Sequence, residues 1–253
     1  MSSLASRQVC DQQASAVAPA AASHIAIAGI SFIADPSGAL FQPDASLLVV
    51  ADLHLEKGSA LARRGVFLPP YDTVATLDRL ARLIAAFSPR IVLALGDSFH
   101  DNFASERMDA GNIARLQSLQ AGRDWLWIAG NHDPAPPQGF GGRAQAGWSL
   151  GGVDFRHEPQ PVLARGEISG HLHPVARVGG SVGIVRRRCF ASDGQRCIMP
   201  AFGAYAGGLN LRDAAFGGLF EAPVTAHVLG KDRIYAIGHH ACLPEARINR
   251  GGK

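Results

Sequence analysis

The chain has 253 residues, which is enough for one large domain or two small ones. Its formal net charge of +3 is mild and does not by itself indicate a nucleic-acid partner. No apolar run approaches the roughly 20 residues that a membrane-spanning helix needs, so the sequence predicts no such helix.

Residues 1–23 are rich in alanine, serine and glutamine, and they lack the charged start and compact apolar core of a secretory signal. We expect a disordered leader over 1–23, a single domain over 24–240 and a flexible tail over 241–253. The four cysteines are widely spaced and form no CxxC pair, which favours free thiols over a zinc knuckle or a disulfide scaffold. These features predict a cytoplasmic protein.

The first half of the chain alternates between strand-like apolar runs and apolar residues at helical spacing. In chain order the predicted elements are a strand at 24–32, a strand at 47–51, a helix at 55–64, a helix that Asp72 caps and Pro89 closes, a strand at 91–95, a helix at 104–120 and a strand at 125–129. This order predicts a partly parallel sheet.

Glycine-rich turns alternate with short strands in the second half. The predicted strands lie at 153–156, 167–169, 181–188, 196–200, 225–228 and 233–237. We expect them to form a second, antiparallel or mixed sheet. Because the sequence contains no internal repeat and no clear linker, a single two-sheet domain is favoured over two independent domains.

Short polar clusters follow directly after three of the predicted strands, and two more lie in the second half. They are DLHLEK (Asp52, His54), LGDSFHD (Asp97), AGNHD (Asn131, His132), FRHEP (His157) and SGHLHP (His171, His173). A strand that ends in polar residues is how an α/β sheet builds a site. Side chains at i and i+2 of an extended segment point the same way, so Asp52 and His54 can bind one ion together.

The candidate ligands combine carboxylate, imidazole and carboxamide groups without a thiolate. This set favours Mn, Fe, Co, Ni or Zn over Mg or Ca, and its size is enough for two ions. Asp97 is the candidate for a bridging carboxylate, because it is the sole acid of its cluster that adjoins the strand end. Glycines precede Asp97, Asn131 and His171, and we expect them to let the chain turn sharply. Two metal ions are a common means of attacking a phosphate ester.

These clusters resemble the five motifs of the calcineurin-like metallophosphoesterases: DxH, GD, GNH[DE], a lone His and GHxH. The fuller strings, together with MPAFGAYAGGLN at 199–210, resemble the bacterial DNA-ligase-associated phosphoesterases, a family of DNA-damage-response endonucleases linked to a ligase and a helicase. The resemblance covers about 24–237. It implies an α/β fold, a four-layer α-β-β-α sandwich of two mixed β-sheets flanked by helices.

The resemblance also implies a role for each matching residue. Asp52, His54 and His173 would hold the first metal ion, Asn131, His157 and His171 would hold the second, and Asp97 would bridge the two. His132 would stabilise the transition state or protonate the leaving oxygen, while Asp133 orients its imidazole. Many members carry GDxxD, or Asn or Arg contacts, after the GD motif. Here His100 stands in that segment, either as a substrate contact or in a structural role.

The resulting hypothesis is a phosphodiesterase or endonuclease that acts on DNA with two divalent metal ions. Manganese is the favoured metal, with Fe, Zn, Ni and Co as alternatives, and a metal-bridging hydroxide would attack phosphorus in line. Arg186 and Arg188 are candidate contacts to the phosphate backbone. Alternatively, these arginines belong to an edge strand whose charges prevent pairing with another chain.

Two other functions stay open on the sequence. One is a phosphodiesterase or pyrophosphatase that acts on a small nucleotide or a nucleotide-linked substrate. The other is a non-enzymatic binding module of a repair complex, against which the full set of candidate ligands counts. A DNA ligase and a helicase are the expected protein partners, and no membrane association is expected.

Overall fold

The computed structural model describes residues 23–134, 139–162, 166–180 and 183–246. The predicted leader, except Ser23, and residues 247–253 of the predicted tail lie outside the described residues. Residues 242–245 of that tail contact the strand at 175–180, since the Leu243 amide donates to the Arg177 carbonyl at 2.7 Å. None of the helices in the described part of the chain combines the length and apolar character needed to cross a membrane.

The first sheet runs in chain order. Within the described residues its strands are β1 (Ser23–Ile27), β2 (Ile30–Ala34), β3 (Leu40–Gln42), β4 (Leu47–Ala51), β5 (Ile91–Leu95), β6 (Asp124–Ile128) and β7 (Arg143–Gln145). Neighbours from β1 to β4 are antiparallel, and neighbours from β4 to β7 are parallel. Parallel pairing brings the carboxyl ends of β4, β5 and β6, with the polar clusters that follow them, to one edge of the sheet.

The second sheet is mixed. Its strands are β8 (Trp148–Leu150), β9 (Val153–Arg156), β10 (Gly166–Ser169), β11 (Val175–Gly180), β12 (Gly183–Ser192), β13 (Arg196–Ile198), β14 (Thr225–Leu229) and β15 (Ile234–Gly238). The order is β15-β14-β12-β13-β10-β9-β8, and β11 pairs with β12 outside this path. Strands β9, β10 and β13 run parallel to one another.

The helices belong mainly to the first half of the chain. They are α1 (Lys57–Arg63), α2 (Asp72–Phe87), α3 (Ala104–Arg107) and α4 (Ala110–Gln120), with 3-10 turns at Ala214–Phe216 and His239–Ala241. The buried face of α2 carries Leu77, Leu80, Leu83 and Ile84. This face packs on the first sheet.

Strand β4 shows that both faces of the first sheet are buried. Its residues are completely buried and alternate between two cores: Leu47 and Val49 point to the core between the sheets, while Leu48 and Val50 point to the helices. Successive side chains of a strand face opposite sides, so an all-apolar strand fits a sheet covered on both faces. The predicted α/β fold of two mixed sheets is confirmed. Over the outer face of the second sheet, the covering residues include Leu211, Phe216 and Cys242.

Several predicted element boundaries are wrong for local reasons. The predicted strand at 24–32 is the β1–β2 hairpin, which turns at Ala28 and Gly29 with φ of 46° and 82°. The predicted helix at 104–120 is divided into α3 and α4, and the Asp109 side chain caps α4 by accepting from the Asn112 amide at 2.9 Å. Asp72 does not cap α2, because its carboxylate accepts from the Gly58 amide at 2.9 Å.

The thiols of Cys189, Cys197 and Cys242 are free and buried, in line with the preference for thiols over disulfides. The fourth cysteine, Cys10, lies outside the described residues. The hairpin between β12 and β13 pairs Ser192 with Cys197, so Cys189 does not sit opposite Cys197.

Candidate metal centre

Most of the candidate ligands have a strained backbone conformation, and they lie at the edge where β4, β5 and β6 end. Five of the seven have positive φ: Asp52 (53°), His54 (44°), Asp97 (46°), His171 (68°) and His173 (47°). Residues with side chains rarely adopt this left-handed region, since each one costs on the order of 1–3 kcal/mol and persists only where the surrounding structure holds it. Such strain concentrates at functional sites, and here it coincides with the residues that the motifs predicted.

The glycines that precede the ligands act in two ways. Gly96, before Asp97, has φ of 68°, and a Cβ there would lie 2.4 Å from His157 Nδ1. Gly130, before Asn131, needs no positive φ, but a Cβ would lie 2.1 Å from the Asp97 amide nitrogen. Gly170, before His171, would bring a Cβ to 2.5 Å from an Asp52 oxygen. The expected conformational freedom therefore applies to Gly96, whereas Gly130 and Gly170 serve by lacking a side chain.

Asp52 lies at the centre of the first group of ligands. It is fully buried, and its carboxylate accepts from the His171 amide at 3.1 and 3.3 Å. His173 Nε2 lies 3.1 Å from Asp52 Oδ1 and 3.4 Å from His54 Nε2. The ligand atoms of Asp52, His54 and His173 all lie within 4.8 Å of one another. This is the trio that the resemblance implied for the first metal ion.

Asp97 and His157 form a second group beside the first. His157 Nε2 lies 3.5 Å from Asp97 Oδ2 and 3.2 Å from His171 Nδ1. The ligand atoms of Asp52, Asp97 and His157 also lie within 4.8 Å of one another, so Asp52 is common to both groups. His157 Nδ1 donates to the Leu95 carbonyl at 3.0 Å, which leaves Nε2 turned towards the Asp97 carboxylate. The structure thus brings His157 and His171 to the site.

Asn131 lies at the rim of this arrangement. It is exposed, and it lines an open pocket of about 250 Å³ together with His157 and Glu158. Its side-chain nitrogen donates to a Glu158 carboxylate oxygen. The amide oxygen of Asn131 is therefore the atom left for a cation. Glu158 directly follows His157 in the FRHEP cluster, but no motif in the sequence marks it as part of the site.

His132 is tied to both a ligand and a neighbouring loop. Its amide donates to Asp97 Oδ1 at 2.9 Å, and its Nδ1 donates to the His100 carbonyl at 2.9 Å. Its Nε2 lies 3.9 Å from Asp97 Oδ2, and 46% of its side chain is exposed. The His100 ring stacks on the His132 ring, with centroids 5.2 Å apart and planes 20° apart.

Asp133 differs from the role that the resemblance implied. Its Oδ2 accepts from the amides of Ser98 and Phe99 at 2.8 and 3.0 Å, so it holds the loop after Asp97, and the His100 carbonyl is what meets the His132 imidazole. Burial raises the pKa of Asp133 to about 7, against the lowering effect of the Phe99 amide. Nearby Asp97 raises it further.

The electrostatics of the site suit a cation. Burial lowers the pKa of His54 to about 2, with His173 and Lys57 adding to the effect, so the imidazole is neutral, as a metal ligand must be. Two buried carboxylates, Asp52 and Asp97, stand in the same site, and buried charges need a partner or a metal ion. The His54 Nδ1 atom is buried without a partner among the described residues. Carboxylate and imidazole donors in two adjoining groups therefore fit two divalent ions.

The three candidate substrate residues do not converge on one place. His100 reaches the site but is buried, and burial lowers its pKa to about 4, with Lys57 and His132 adding to this effect. Arg186 pairs with Glu245 at 3.0 Å and donates to the Gly208 carbonyl at 2.6 Å. Arg188 points into a different pocket and donates to the Ala201 carbonyl at 2.7 Å.

The segment 199–210 braces the ligand loops from outside. The Phe202 amide donates to the Ala51 carbonyl at 2.8 Å, and the Gly203 amide donates to the Asp52 carbonyl at 3.1 Å. A Cβ on Gly203 would lie 2.3 Å from the Leu53 carbonyl oxygen, and one on Gly208 would lie 2.3 Å from the His173 carbonyl oxygen. The small residues of this string allow it to pack against both the DxH and the HxH loops.

A family model described as "Calcineurin-like phosphoesterase" matches residues 45–195, more than half of the chain. The chain is also similar to the crystal structure of Pseudomonas putida nuclease MPE, with 25% sequence identity and a TM-score of 0.66, over 85% of this chain and 100% of that one. A phosphoesterase from E. coli, Yfce, is 13% identical with a TM-score of 0.36, over 76% of this chain and 97% of that one. No curated protein sequence matches the chain.

Proposed function

The chain belongs to the calcineurin-like phosphoesterase family and is a hydrolase of phosphoester bonds, and we propose that it is a two-metal phosphodiesterase that cleaves DNA as an endonuclease. The observation that carries this proposal is the pair of adjoining ligand groups that share Asp52, with the exposed His132 imidazole beside them. The similarity to a nuclease over the full length of that protein supports nucleic acid as the substrate.

In this proposal the first ion is held by Asp52, His54 and His173. Asn131, His157 and His171 would hold the second, and Asp97, whose carboxylate lies within 4.8 Å of the Asp52 and His157 ligand atoms, would serve both. Divalent ions, when bound, supply Lewis-acid activation of the nucleophile and neutralise charge on the phosphoryl oxygens. The donors mix imidazole with oxygen and include no thiolate, which suits Mn, Fe, Co, Ni or Zn, and manganese is our choice among these.

His132 is the proposed general acid. A carbonyl oxygen can only accept, so the bond to His100 fixes a proton on Nδ1 of His132. To act as the acid, His132 must therefore carry a further proton on Nε2, which faces the site near Asp97, and that proton passes to the leaving oxygen. The hydrogen bond from the His132 amide to Asp97 Oδ1 fixes the position of His132 relative to the candidate ligands.

His100 and Asp133 act on His132 indirectly in this scheme. Asp133 holds the backbone at Ser98 and Phe99, and this loop leads to the His100 carbonyl that orients the His132 ring. The stacked, neutral His100 ring limits the rotation of the His132 ring. We therefore propose positioning roles for both residues, in place of a direct phosphate contact by His100.

The test is cleavage of labelled single-stranded DNA by purified, manganese-loaded protein beside its His132→Ala variant, with the metal content of both measured. A small phosphodiester serves as the second substrate. We expect the wild type to cut DNA and the variant, with unchanged metal content, to lose turnover. Hydrolysis of the small diester with intact DNA would instead support the small-nucleotide alternative.

The ligase and helicase partners rest on the resemblance of the full sequence strings. A pull-down of the full-length chain with a bacterial DNA ligase and helicase tests this prediction. Absence of binding to either would restrict the proposal to an independently acting nuclease.

A further inference from the structure

A second, basic pocket of about 510 Å³ lies apart from the ligand groups. The cations that line it are Arg79, Arg82, Arg188 and Lys231, and the acids are Asp35 and Asp232. They come from α2, from the middle of β12 and from the turns after β2 and β14. Four positive charges against two negative ones make this pocket cationic.

Two guanidinium groups in the pocket are partly buried without an acidic partner. Arg79 donates to the Phe202 carbonyl at 2.5 Å, and Arg188 donates to the Ala201 carbonyl at 2.7 Å. Among the described residues, no carboxylate lies within 4.0 Å of either guanidinium group. Burial, followed by the charge of Arg79, lowers the pKa of Arg188 to about 10, so the group is charged at neutral pH but poorly compensated. An anion in the pocket would relieve this repulsion.

The pocket is connected to the candidate metal centre through the backbone. The carbonyls of Ala201 and Phe202 receive the two guanidinium groups, while the amides of Phe202 and Gly203 donate to the carbonyls of Ala51 and Asp52. The register of β3 with β4 pairs Leu40 with Val49, so the turn at 35–38 stands at the carboxyl end of β4. The pocket and the ligand groups therefore lie on the same edge of the first sheet.

We propose that this basic pocket binds a phosphate group of the nucleic-acid strand that flanks the phosphate being cleaved. The planar guanidinium group matches the geometry of a phosphate group. Several cations along one edge suit a nucleic-acid strand, which carries several phosphates, better than a single small ester. This inference rests on the proposed nuclease function, and it adds a substrate contact that lies outside the metal ligands.

Charge reversal of exposed pocket residues tests the inference without unfolding the chain. The variants are Arg82→Glu and Lys231→Glu, and the matched control is Arg187→Glu, an exposed arginine on β12 that does not line this pocket. Steady-state kinetics of the manganese-loaded full-length protein are measured on a labelled oligonucleotide and on bis(p-nitrophenyl) phosphate.

We expect the pocket variants to raise the KM for the oligonucleotide about tenfold, in line with the loss of one charged phosphate contact. Their kinetics on the small diester should be unchanged, since that substrate reaches only the metal centre. The control should change the oligonucleotide KM less than twofold. An equal loss in the control, or no loss in the pocket variants, overturns the proposal.

Binding of inorganic phosphate, followed by calorimetry, separates the two sources of the anion. If the strand phosphate is the occupant, inorganic phosphate competes with the oligonucleotide in the wild type but not in Arg82→Glu. Phosphate binding that Arg82→Glu abolishes, with oligonucleotide KM unchanged, assigns the pocket to free phosphate and overturns the strand contact. If the wild type cleaves only the small diester, the nuclease proposal fails. The calorimetric binding of inorganic phosphate then decides whether the pocket is an anion site.

Discussion

The side-chain nitrogen of Asn131 donates a hydrogen bond to the carboxylate of Glu158, one residue beyond His157. This bond decides which end of the Asn131 amide faces the candidate metal centre, because the nitrogen is held at the rim and the oxygen is left free. Two clusters that lie far apart in the sequence are thereby coupled through a residue that is not itself a predicted ligand.

Glu158→Ala should weaken retention of one metal ion. Loss of an outer partner that orients a ligand typically costs about 10–100-fold in metal affinity. Metal titration by calorimetry, with metal content after dialysis, measures the effect. Glu158→Gln keeps an oxygen acceptor at the same place and should retain most of the affinity, whereas equal affinity in the alanine variant would show that Asn131 needs no such partner.

Asp97→Asn should deplete the protein of metal. The variant keeps the size of the side chain but replaces the carboxylate that lies 3.5 Å from His157 Nε2 and accepts from the His132 amide. We expect loss of at least one ion, measured by elemental analysis of the purified protein. Asp101→Asn is the control, since Asp101 pairs with Arg107 at 2.9 Å. A wild-type metal content in Asp97→Asn would contradict the bridging role.

Gly130→Ala should destabilise the protein and disturb the site together. The added Cβ would meet the Asp97 amide nitrogen at 2.1 Å and Asp97 Oδ1 at 2.4 Å, and neither can move without shifting a ligand. We expect a loss of about 1–3 kcal/mol in the free energy of unfolding, the usual cost of overpacking. Denaturant unfolding measures it, with Gly179→Ala as the control because nothing lies within 4 Å of its Cβ position. Comparable losses in both variants would refute the steric argument.

Arg196→Met should cost about 3 kcal/mol of stability, the lower end for a broken buried ion pair. It removes the nearer of two arginines that face the buried Glu167 carboxylate, while Arg156 stays 3.4 Å away. Arg196 Nε lies 2.8 Å from Glu167 Oε1, and both side chains are almost completely buried. Burial raises the pKa of Glu167 even with this arginine present. Urea unfolding of Arg196→Met, Glu167→Leu and the double variant measures the coupling. The double variant should regain part of the loss, and strictly additive losses would contradict a specific ion pair.

The sequence indicates which polar residues lie together because each motif is local. Asp52, Asp97 and Asn131 each follow a strand whose apolar run is easy to read, and parallel pairing then brings those ends together. The structure places all seven predicted ligands at or beside this edge, although their binding of metal stays a prediction until it is measured. The two-sheet fold follows from the same alternation of apolar runs and turns.

The parts that were missed depend on contacts between distant segments. Asp72 has the composition of a helix cap, yet its carboxylate is engaged by the Gly58 amide. The alternation of small and apolar residues continues through Ala28 and Gly29, so the β1–β2 turn resembles one strand. Arg188 belongs to the arginine run that the sequence marks as a candidate phosphate contact, whereas Arg79, more than 100 residues away, sits in no motif. Only the fold shows that their guanidinium groups share one pocket.

The candidate metal centre draws its ligands from both sheets, and this has a consequence for the order of events during protein synthesis. Asp52, His54, Asp97 and Asn131 come from the first sheet, while His157, His171 and His173 come from the second, braced by the segment 199–210. A nascent chain that has emerged only as far as β7 has no histidine from the second sheet to complete either ligand group. Both candidate ligand groups can therefore be complete only after the chain has emerged past His173.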